Sequence, residues 1–523
     1  MRVLGLYCGH DASAAVVEDG KVLIALEEER LTGTKKQGGI PARAIMYICQ
    51  ALRCSPWDFD EVCVATPNLH SGRTHAEDTN SVLRMYPNAR LVPHHEAHAA
   101  LAYVWSGFPE CTVLTLDGGG ADYFGSVNYC SGGHIERVAS LRKDEDEAFG
   151  MLYYYVTEAL GFTPNRHEGK VMGLAASGRD LGLFDGLFWV DGEHIRSAGK
   201  REENIVFRRL NSMVAQYTRM SSPLSRDDIA ASCQAAFERT LLQWVKGNTV
   251  GKLAVSGGCF ANVLTNMKIA NLVEDFYVAP PMMDDGLSIG AALSAFLWCH
   301  VGSASLVARP RHMYFGLPPS AFLWCHVGSA SLVARPKHMY FGLPQEPRHI
   351  WKPESVAKYL SRGYVIGLFQ GAMEFGPRAL GNRTILADPR DKSINKTLNE
   401  RLSRTEFMPF APVILEEYAP EILEDYEVGK ANAPFMTSCW KVKEEWVSKI
   451  PAVVHVDGTA RPQVISRDVN PFYYDIVKAF YDMTGIPCLI NTSFNTHEEP
   501  IICFEQEAQW ALKTGRVDVL VRG

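Results

Sequence analysis

Disulfide chemistry is the first thing this chain does without. Its 13 cysteines are odd in number and stand singly, with no CxxC pair, which suits reduced thiols in a cytoplasm better than a disulfide framework. Long apolar runs are missing as well. The stretch Met1-Arg2-Val3-Leu4-Gly5-Leu6 passes directly into a strand pattern, and no segment approaches the ~20 apolar residues of a membrane helix. A soluble, cytoplasmic chain with no membrane partner is therefore expected. An excess of one charge is the third absence. The 52 Lys and Arg against 59 Asp and Glu leave a formal net charge of −7, which gives no electrostatic case for nucleic acid. What is present is an ordinary globular composition, 47% hydrophobic and 21% charged, over 523 residues. That length exceeds one core, so two domains are the default.

The first half reads as a duplicated unit. Residues 2–8 have a strand pattern, Gly9-His10-Asp11-Ala12-Ser13 is a loop, and residues 14–18 and 21–27 are two more strands joined by an Asp19-Gly20 hairpin. Residues 112–116, 123–129 and 134–141 repeat the plan, with Asp117-Gly118-Gly119-Gly120-Ala121-Asp122 as the first turn and Gly132-Gly133 as the second. Two such units, with polar glycine-bearing turns facing one nucleotide cleft, are the pattern of the actin-like, sugar-kinase and Hsp70-type ATPases. A third turn follows Leu253-Ala254-Val255. It is Ser256-Gly257-Gly258-Cys259-Phe260-Ala261-Asn262, which lets backbone approach a ribose or phosphate and sets a helix N-terminus at an anion. Lys170, in Glu168-Gly169-Lys170-Val171-Met172-Gly173, is a candidate phosphate contact.

His94 and His98 stand four apart in Pro93-His94-His95-Glu96-Ala97-His98-Ala99, so on a helix both imidazoles project from one face. Asp117 ends the run Val113-Leu114-Thr115-Leu116 and places a carboxylate at a cleft mouth. Two histidines and an acid from adjacent elements suggest a divalent metal near a nucleotide. Met283-Asp284-Asp285-Gly286 puts two acids at the start of a small-residue helix, where Asp ordinarily caps. If the fold returns this turn to the histidines, one acid becomes a fourth ligand, with Asp284 the choice over Asp285.

As an ordered set, Gly9-His10-Asp11-Ala12-Ser13, Glu27-Glu28-Glu29-Arg30, the His94–Ala99 run, Asp117-Gly118-Gly119-Gly120, the Glu168–Gly173 run and Asp284-Asp285-Gly286 resemble the O-carbamoyltransferase family. That family includes nodulation-factor and antibiotic-tailoring enzymes. The resemblance implies an α/β protein with an actin-like transfer domain, residues 1–345, and a YrdC-like C-terminal domain, residues 346–523. It implies that the second makes carbamoyl-adenylate from ATP and carbamoyl phosphate, and that the first passes the carbamoyl group to a hydroxyl of a small molecule, a natural product. His94, His98, Asp117 and Asp284 would then hold an iron-like ion. Asp11, Gly118, Gly119, Gly120, Gly257, Gly258, Asn262 and Lys170 would surround the nucleotide, His10 would sit at the transfer site, and a homodimer is compatible with it. A small-molecule kinase using an Asp base and magnesium, or a degenerate nucleotide-binding scaffold acting through partners, are the rival readings.

Residues 294–318 recur at 320–344 with one difference, Arg311 against Lys337. So close a copy is a duplication, or an error of sequence assembly, at a junction that tolerates insertion rather than a solenoid, and one copy is expected to be dispensable. Beyond it, a strand pattern at 364–369 leads into a glycine-punctuated stretch where Arg378 and Arg383 suit a polyphosphate. Arg404 and the run Asn491-Thr492-Ser493-Phe494-Asn495 add donors, with Asn491, Ser493 and Asn495 as candidates. Where the family would carry a lysine and a second arginine before Pro409-Phe410, this chain has Leu402 and Met408. If both lost cations were direct contacts, carbamoyl phosphate binding would weaken by about several kcal/mol.

Overall fold

The computed structural model describes residues 1–66, 73–120, 123–142, 148–198, 208, 212, 224–301, 335–343, 351–404 and 410–523. Ala121, Asp122, Met408 and most of the repeat lie outside these. Strands β1 (Arg2–Tyr7), β2 (Ser13–Glu18), β3 (Lys21–Glu27), β4 (Glu61–Ala65) and β5 (Arg90–Val92) form one sheet in the order β3-β2-β1-β4-β5. Next come β6 (Glu110–Leu116), β7 (Tyr123–Ser131), β8 (His134–Arg142) and a separate hairpin of β9 (Phe188–Asp191) and β10 (His194–Ser197). With β11 (Leu253–Ser256) and β12 (Phe276–Val278), strands β6 to β8 form a second sheet in the order β12-β11-β6-β7-β8.

Read from its other edge, the second sheet is the first again. In each, three consecutive strands pair antiparallel, the last two through a tight turn, and two parallel strands are added on the free side of the first one. Parallel additions need crossovers, and helices Ala42–Leu52 and Arg226–Asn248 lie on them. The duplicated actin-like architecture expected from the two glycine-bearing turns is the one observed.

Alternation along β1 assigns its residues to two layers. Val3 and Tyr7 face helices His94–Ser106 and Leu287–Val301, which lie between the two sheets. Leu4 and Leu6 face Ile45 and Ile48 of helix Ala42–Leu52 on the outer side. The two central helices approach closely because one of them carries a glycine. A Cβ on Gly290 would stand 2.2 Å from the Ala97 carbonyl oxygen. In helix His94–Ser106 every residue except Glu96 is buried, which is why it is rich in alanine and shows no amphipathic stripe.

The last part of the chain contains β13 (Ile366–Phe369), β14 (Arg383–Ala387), β15 (Ala411–Leu415), a short ribbon of β16 (Trp440–Lys441) and β17 (Thr459–Ala460), β18 (Gln463–Ile465), β19 (Cys488–Ser493) and β20 (Val519–Arg522). Six of these make a mixed sheet in the order β18-β15-β19-β14-β13-β20. Val356 and Leu360 of helix Pro353–Leu360 and Ile476, Val477 and Phe480 of helix Pro471–Thr484 belong to its core.

Candidate functional site

Pro93 sets the start of helix His94–Ser106 directly after β5, so its first turn lies at the C-terminal edge of the first sheet. Asp117 leaves β6 at the same edge of the second sheet, and Asp284 comes in on the short 3-10 turn Asp284–Gly286. His94 Nε2 lies 3.8 Å from Asp117 Oδ2 and 3.5 Å from Asp284 Oδ1, and His98 Nε2 lies 3.5 and 3.7 Å from the same two oxygens. One ligand atom from each of the four residues falls within 4.8 Å of the others. Atoms sharing an ion at about 2.1 Å sit about 3 to 3.5 Å apart, close to these spacings.

The hydrogen bonding points the same way. His94 Nδ1 faces the Thr66 carbonyl at 3.3 Å and His98 Nδ1 the Ser256 hydroxyl at 2.9 Å. Both Nε2 atoms and Asp117 Oδ2 are buried with no hydrogen-bond partner among the described residues. Groups so placed are costly unless something binds them, so the donor set fits a divalent cation oriented by outer partners. Without one, burial opposes a charge on His98, yet Asp117 and Asp284 outweigh it and raise its pKa to about 9. Tyr7, fully buried, donates to Asp284 Oδ2 at 2.5 Å. Sequence reasoning passed over Tyr7, since it stands in the chain as one more core position of a strand, beside the more conspicuous His10 and Asp11.

His10 lies beside this cluster, with Nδ1 2.8 Å from Asp11 Oδ2 and Nε2 3.2 Å from Asp284 Oδ2. Burial opposes its charge, but the two carboxylates raise it to about 10. Asp11 also holds the Lys36 ammonium at 2.7 Å, so its carboxylate is engaged by protein cations. Asp285 is not in the ligand group. Burial and the charges of Glu27 and Asp11 push it up to about 8.

His10, Asp11 and the carboxylates of Asp117, Asp284 and Asp285 open onto one cleft of about 620 Å³, with His94, His98 and Tyr7 behind them, and the cleft also reaches the third sheet. His10, Asp11, Gly118, Lys170, Gly258, Asn262 and Asp284 line it, and so do Arg378, Arg404, Arg461, Asn491, Ser493 and Asn495. Arg378 has no hydrogen bond or salt bridge among the described residues; burial and the like charge of Arg461 lower it to about 9. Two guanidiniums turned on one another in a cleft make a seat for an anion. Arg404 donates to Thr492 Oγ1 at 2.8 Å, Ser493 Oγ at 3.0 Å and Asn495 Oδ1 at 3.2 Å. Asn491 Nδ2 is held by Ala379 O and Gln463 Oε1, at 2.9 and 2.8 Å.

Four expected ligand contacts do not reach the cleft. Arg383 is fully buried, its guanidinium 3.9 Å over the Phe369 ring and donating to the carbonyls of Gln370 and Asn382 at 2.6 and 2.9 Å. It supports the glycine loop instead of a polyphosphate. Gly119, Gly120 and Gly257 are buried behind the lining. Gly257 is there for its backbone: at φ +110 a Cβ would stand 2.3 Å from the Leu116 oxygen. The turn after Gly257 is a short 3-10 helix, and the α-helix starts at Val263, capped by Asn262 Oδ1 accepting from Thr265 N at 3.1 Å. Asn262 therefore lines the cleft with its amide already used. Leu402 is buried in the core of the third sheet.

The Glu27-Glu28-Glu29-Arg30 run looks like a solvated charge cluster and is the opposite. Glu27 Oε1 accepts from Gly376 N at 2.6 Å, and Arg30 Nη2 donates to Gly376 O at 2.7 Å, so the pair grips both backbone polar groups of one residue in the second half. Glu28 accepts from Arg43 N and Ala44 N, at 3.1 and 2.9 Å, and so caps helix Ala42–Leu52 behind Pro41. Glu29 takes Lys35 Nζ at 3.0 Å and Lys36 N at 2.8 Å. Glu374, also missed, accepts from Leu380 N, Asn382 N and Arg383 N at 2.7, 2.7 and 3.1 Å and gives the Arg378 loop its shape.

Against known families, residues 2–78 and 73–293 match the model of the carbamoyltransferase N-terminus, and residues 357–523 match that of the carbamoyltransferase C-terminus. Nodulation protein NolO of Bradyrhizobium diazoefficiens is 35% identical over 82% of this chain and 77% of its own. Nodulation protein NolNO of Sinorhizobium fredii is 32% identical over 98% and 78%. An uncharacterised protein of Methanocaldococcus jannaschii is 30% identical over 100% and 98%. Among solved structures, component A of the Acidaminococcus fermentans (R)-2-hydroxyglutaryl-CoA dehydratase covers 57% of this chain and 98% of its own at 15% identity, with a TM-score of 0.37. HypF of T. kodakarensis covers 57% and 48% at 14% identity, with a TM-score of 0.36.

Proposed function

The chain belongs to the carbamoyltransferase family, and on that footing we propose that it is an ATP-dependent O-carbamoyltransferase working through carbamoyl-adenylate. The observation that carries the proposal is one cleft lined both by Asp117 and Asp284 of the four-donor cluster and by Arg378, Arg404 and Arg461. At the arginine end, the guanidiniums would meet the phosphates of ATP and carbamoyl phosphate. Carbamoyl phosphate gives its phosphate to water, the resulting carbamate oxygen attacks the α-phosphorus of ATP, and pyrophosphate leaves. The carbamate, which could expel only oxide, has then become a mixed anhydride that expels AMP.

At the other end the acceptor hydroxyl attacks the carbamoyl carbon, the bond to the AMP oxygen breaks, and AMP leaves. Asp11 fixes His10 through Nδ1, which leaves Nε2 as the atom that takes the hydroxyl proton. An iron-like divalent cation would be held by His94, His98, Asp117 and Asp284 and would supply positive charge to the adenylate oxygens and offset the Asp284 part of the carboxylate charge on His10, with Asp11 still on Nδ1. Lys170 and the backbone at Gly118 and Gly258 would position the nucleotide, and Met172, Val263 and Met283 offer its base an apolar wall. Purified protein given ATP and carbamoyl phosphate should release AMP and pyrophosphate. With a panel of sugars and other hydroxylated natural products, one should gain a carbamoyl group by mass spectrometry. Release of ADP instead would make the chain a kinase and end the proposal.

A further inference from the structure

At the mouth of the cleft, the loop after β19 crosses to the start of helix Glu168–Ala175. Glu498 Oε2 accepts from Arg166 Nη1 at 2.8 Å, and Glu498 Oε1 accepts from His167 Nε2 at 2.5 Å. The His167 tautomer is fixed, since its Nδ1 accepts from Thr163 N at 3.0 Å, so Nε2 carries the proton. Lys170, whose residue is nine-tenths buried, has only His497 Nε2, a weak acceptor at 3.3 Å, as hydrogen-bond partner among the described residues. All five side chains line the cleft, and beside them a Cβ on Gly169 would meet nothing within 4 Å. Glu498 reaches its position through φ +64, a backbone conformation that glycine and asparagine adopt far more readily.

We infer that Arg166, the His167 Nε2–H and Lys170 form an anion site for a phosphate group, and that the Glu498 carboxylate occupies it until substrate displaces the loop. A carboxylate oxygen pair and two phosphate oxygens accept the same bidentate hydrogen bonds. A different trio that shares His167, namely His167, His497 and Glu498, has cation-ligand spacing. Against a metal stand a guanidinium on one carboxylate oxygen and an ammonium on the imidazole nitrogen, since both would have to leave before an ion entered. Because the contact joins the first half of the chain to the second, the displacement also unlatches the cleft. The inference rests on the phosphate-using reading above and names the group that gates its site.

Pyrophosphate titrated by calorimetry into the full chain tests it. Glu498→Gln should bind roughly tenfold more tightly than wild type, as expected when one charged competitor is removed. Glu498→Asn, which suits the positive φ, should do the same if the glutamine variant folds poorly. Adding Lys170→Ala to Glu498→Gln should cancel the gain. Unchanged affinity in both Glu498 variants, or a gain that survives Lys170→Ala, overturns the inference. So does uptake of Zn²⁺ that His497→Ala abolishes. Separate titrations with ATP and with carbamoyl phosphate show which substrate brings the phosphate. A tightened Glu498 variant that makes no AMP keeps the anion site and loses the carbamoyl reading; AMP formation with no tightening does the reverse.

Discussion

Asp284 is shared. Tyr7 and His10 hold one of its oxygens, at 2.5 and 3.2 Å, and that leaves the other turned toward His94 and His98. Tyr7→Phe removes the buried hydroxyl without changing the ring, and metal affinity is expected to fall about 10- to 100-fold, read by competition with a chromophoric chelator. Unchanged affinity would mean that packing alone orients Asp284. His10 offers a second test on the metal-stripped protein. Its pKa of about 10 lies above the free-imidazole 6.5, so the stabilisation from its charged form is fully present below pH 6.5 and is lost as pH rises through about 10. The difference in melting temperature between wild type and His10→Asn should therefore be largest near pH 6.5 and shrink toward pH 10. A difference that does not change across that window would show that Asp11 and Asp284 do not hold the ring charged.

At the scale of elements, the tandem repeat is used only once by the described residues. The first copy provides Ser294 to Val301, the end of helix Leu287–Val301, and the second provides 335–343. In the second copy Arg335 donates to Ser106 O at 3.1 and 3.0 Å, Phe341 O accepts from Ala25 N at 2.9 Å, and the Tyr340 hydroxyl donates to Leu380 O at 2.7 Å. Removing residues 302–327 gives the same sequence as removing 294–319 and keeps every one of these contacts. The shortened chain is expected to fold with an unchanged melting temperature and to retain AMP formation; aggregation on expression would show that both copies are needed. Strand and turn positions were legible because alternation and Asp-Gly or Gly-Gly pairs are local signals. The loop around Glu374 was not legible, since a carboxylate that takes three backbone donors within its own loop looks in sequence like any surface acid.

For the whole molecule, the grip of Glu27 and Arg30 on Gly376 is one of the contacts that tie the duplicated half to the second half of the chain. Arg30→Met leaves the Glu27 carboxylate buried without its cation and should cost about 3–5 kcal/mol. The double variant Glu27→Gln/Arg30→Met should cost less than the sum of the single changes. Urea unfolding checks both, and additive costs would show that the two side chains act separately. The sequence by itself determined the repeated strand plan, the paired histidines and the cleft-facing acid, because periodicity, turn chemistry and i,i+4 spacing are properties of neighbouring residues. It also carried the family in an ordered set of short motifs. Only the tertiary structure decided that Asp284 and not Asp285 meets the imidazoles, that Arg383 and three of the glycines serve packing, and that Tyr7 and Glu498 belong to the site. Those assignments depend on which surfaces come together across hundreds of residues, and burial, which makes an arginine structural or leaves it facing an anion, exists only after the chain has closed.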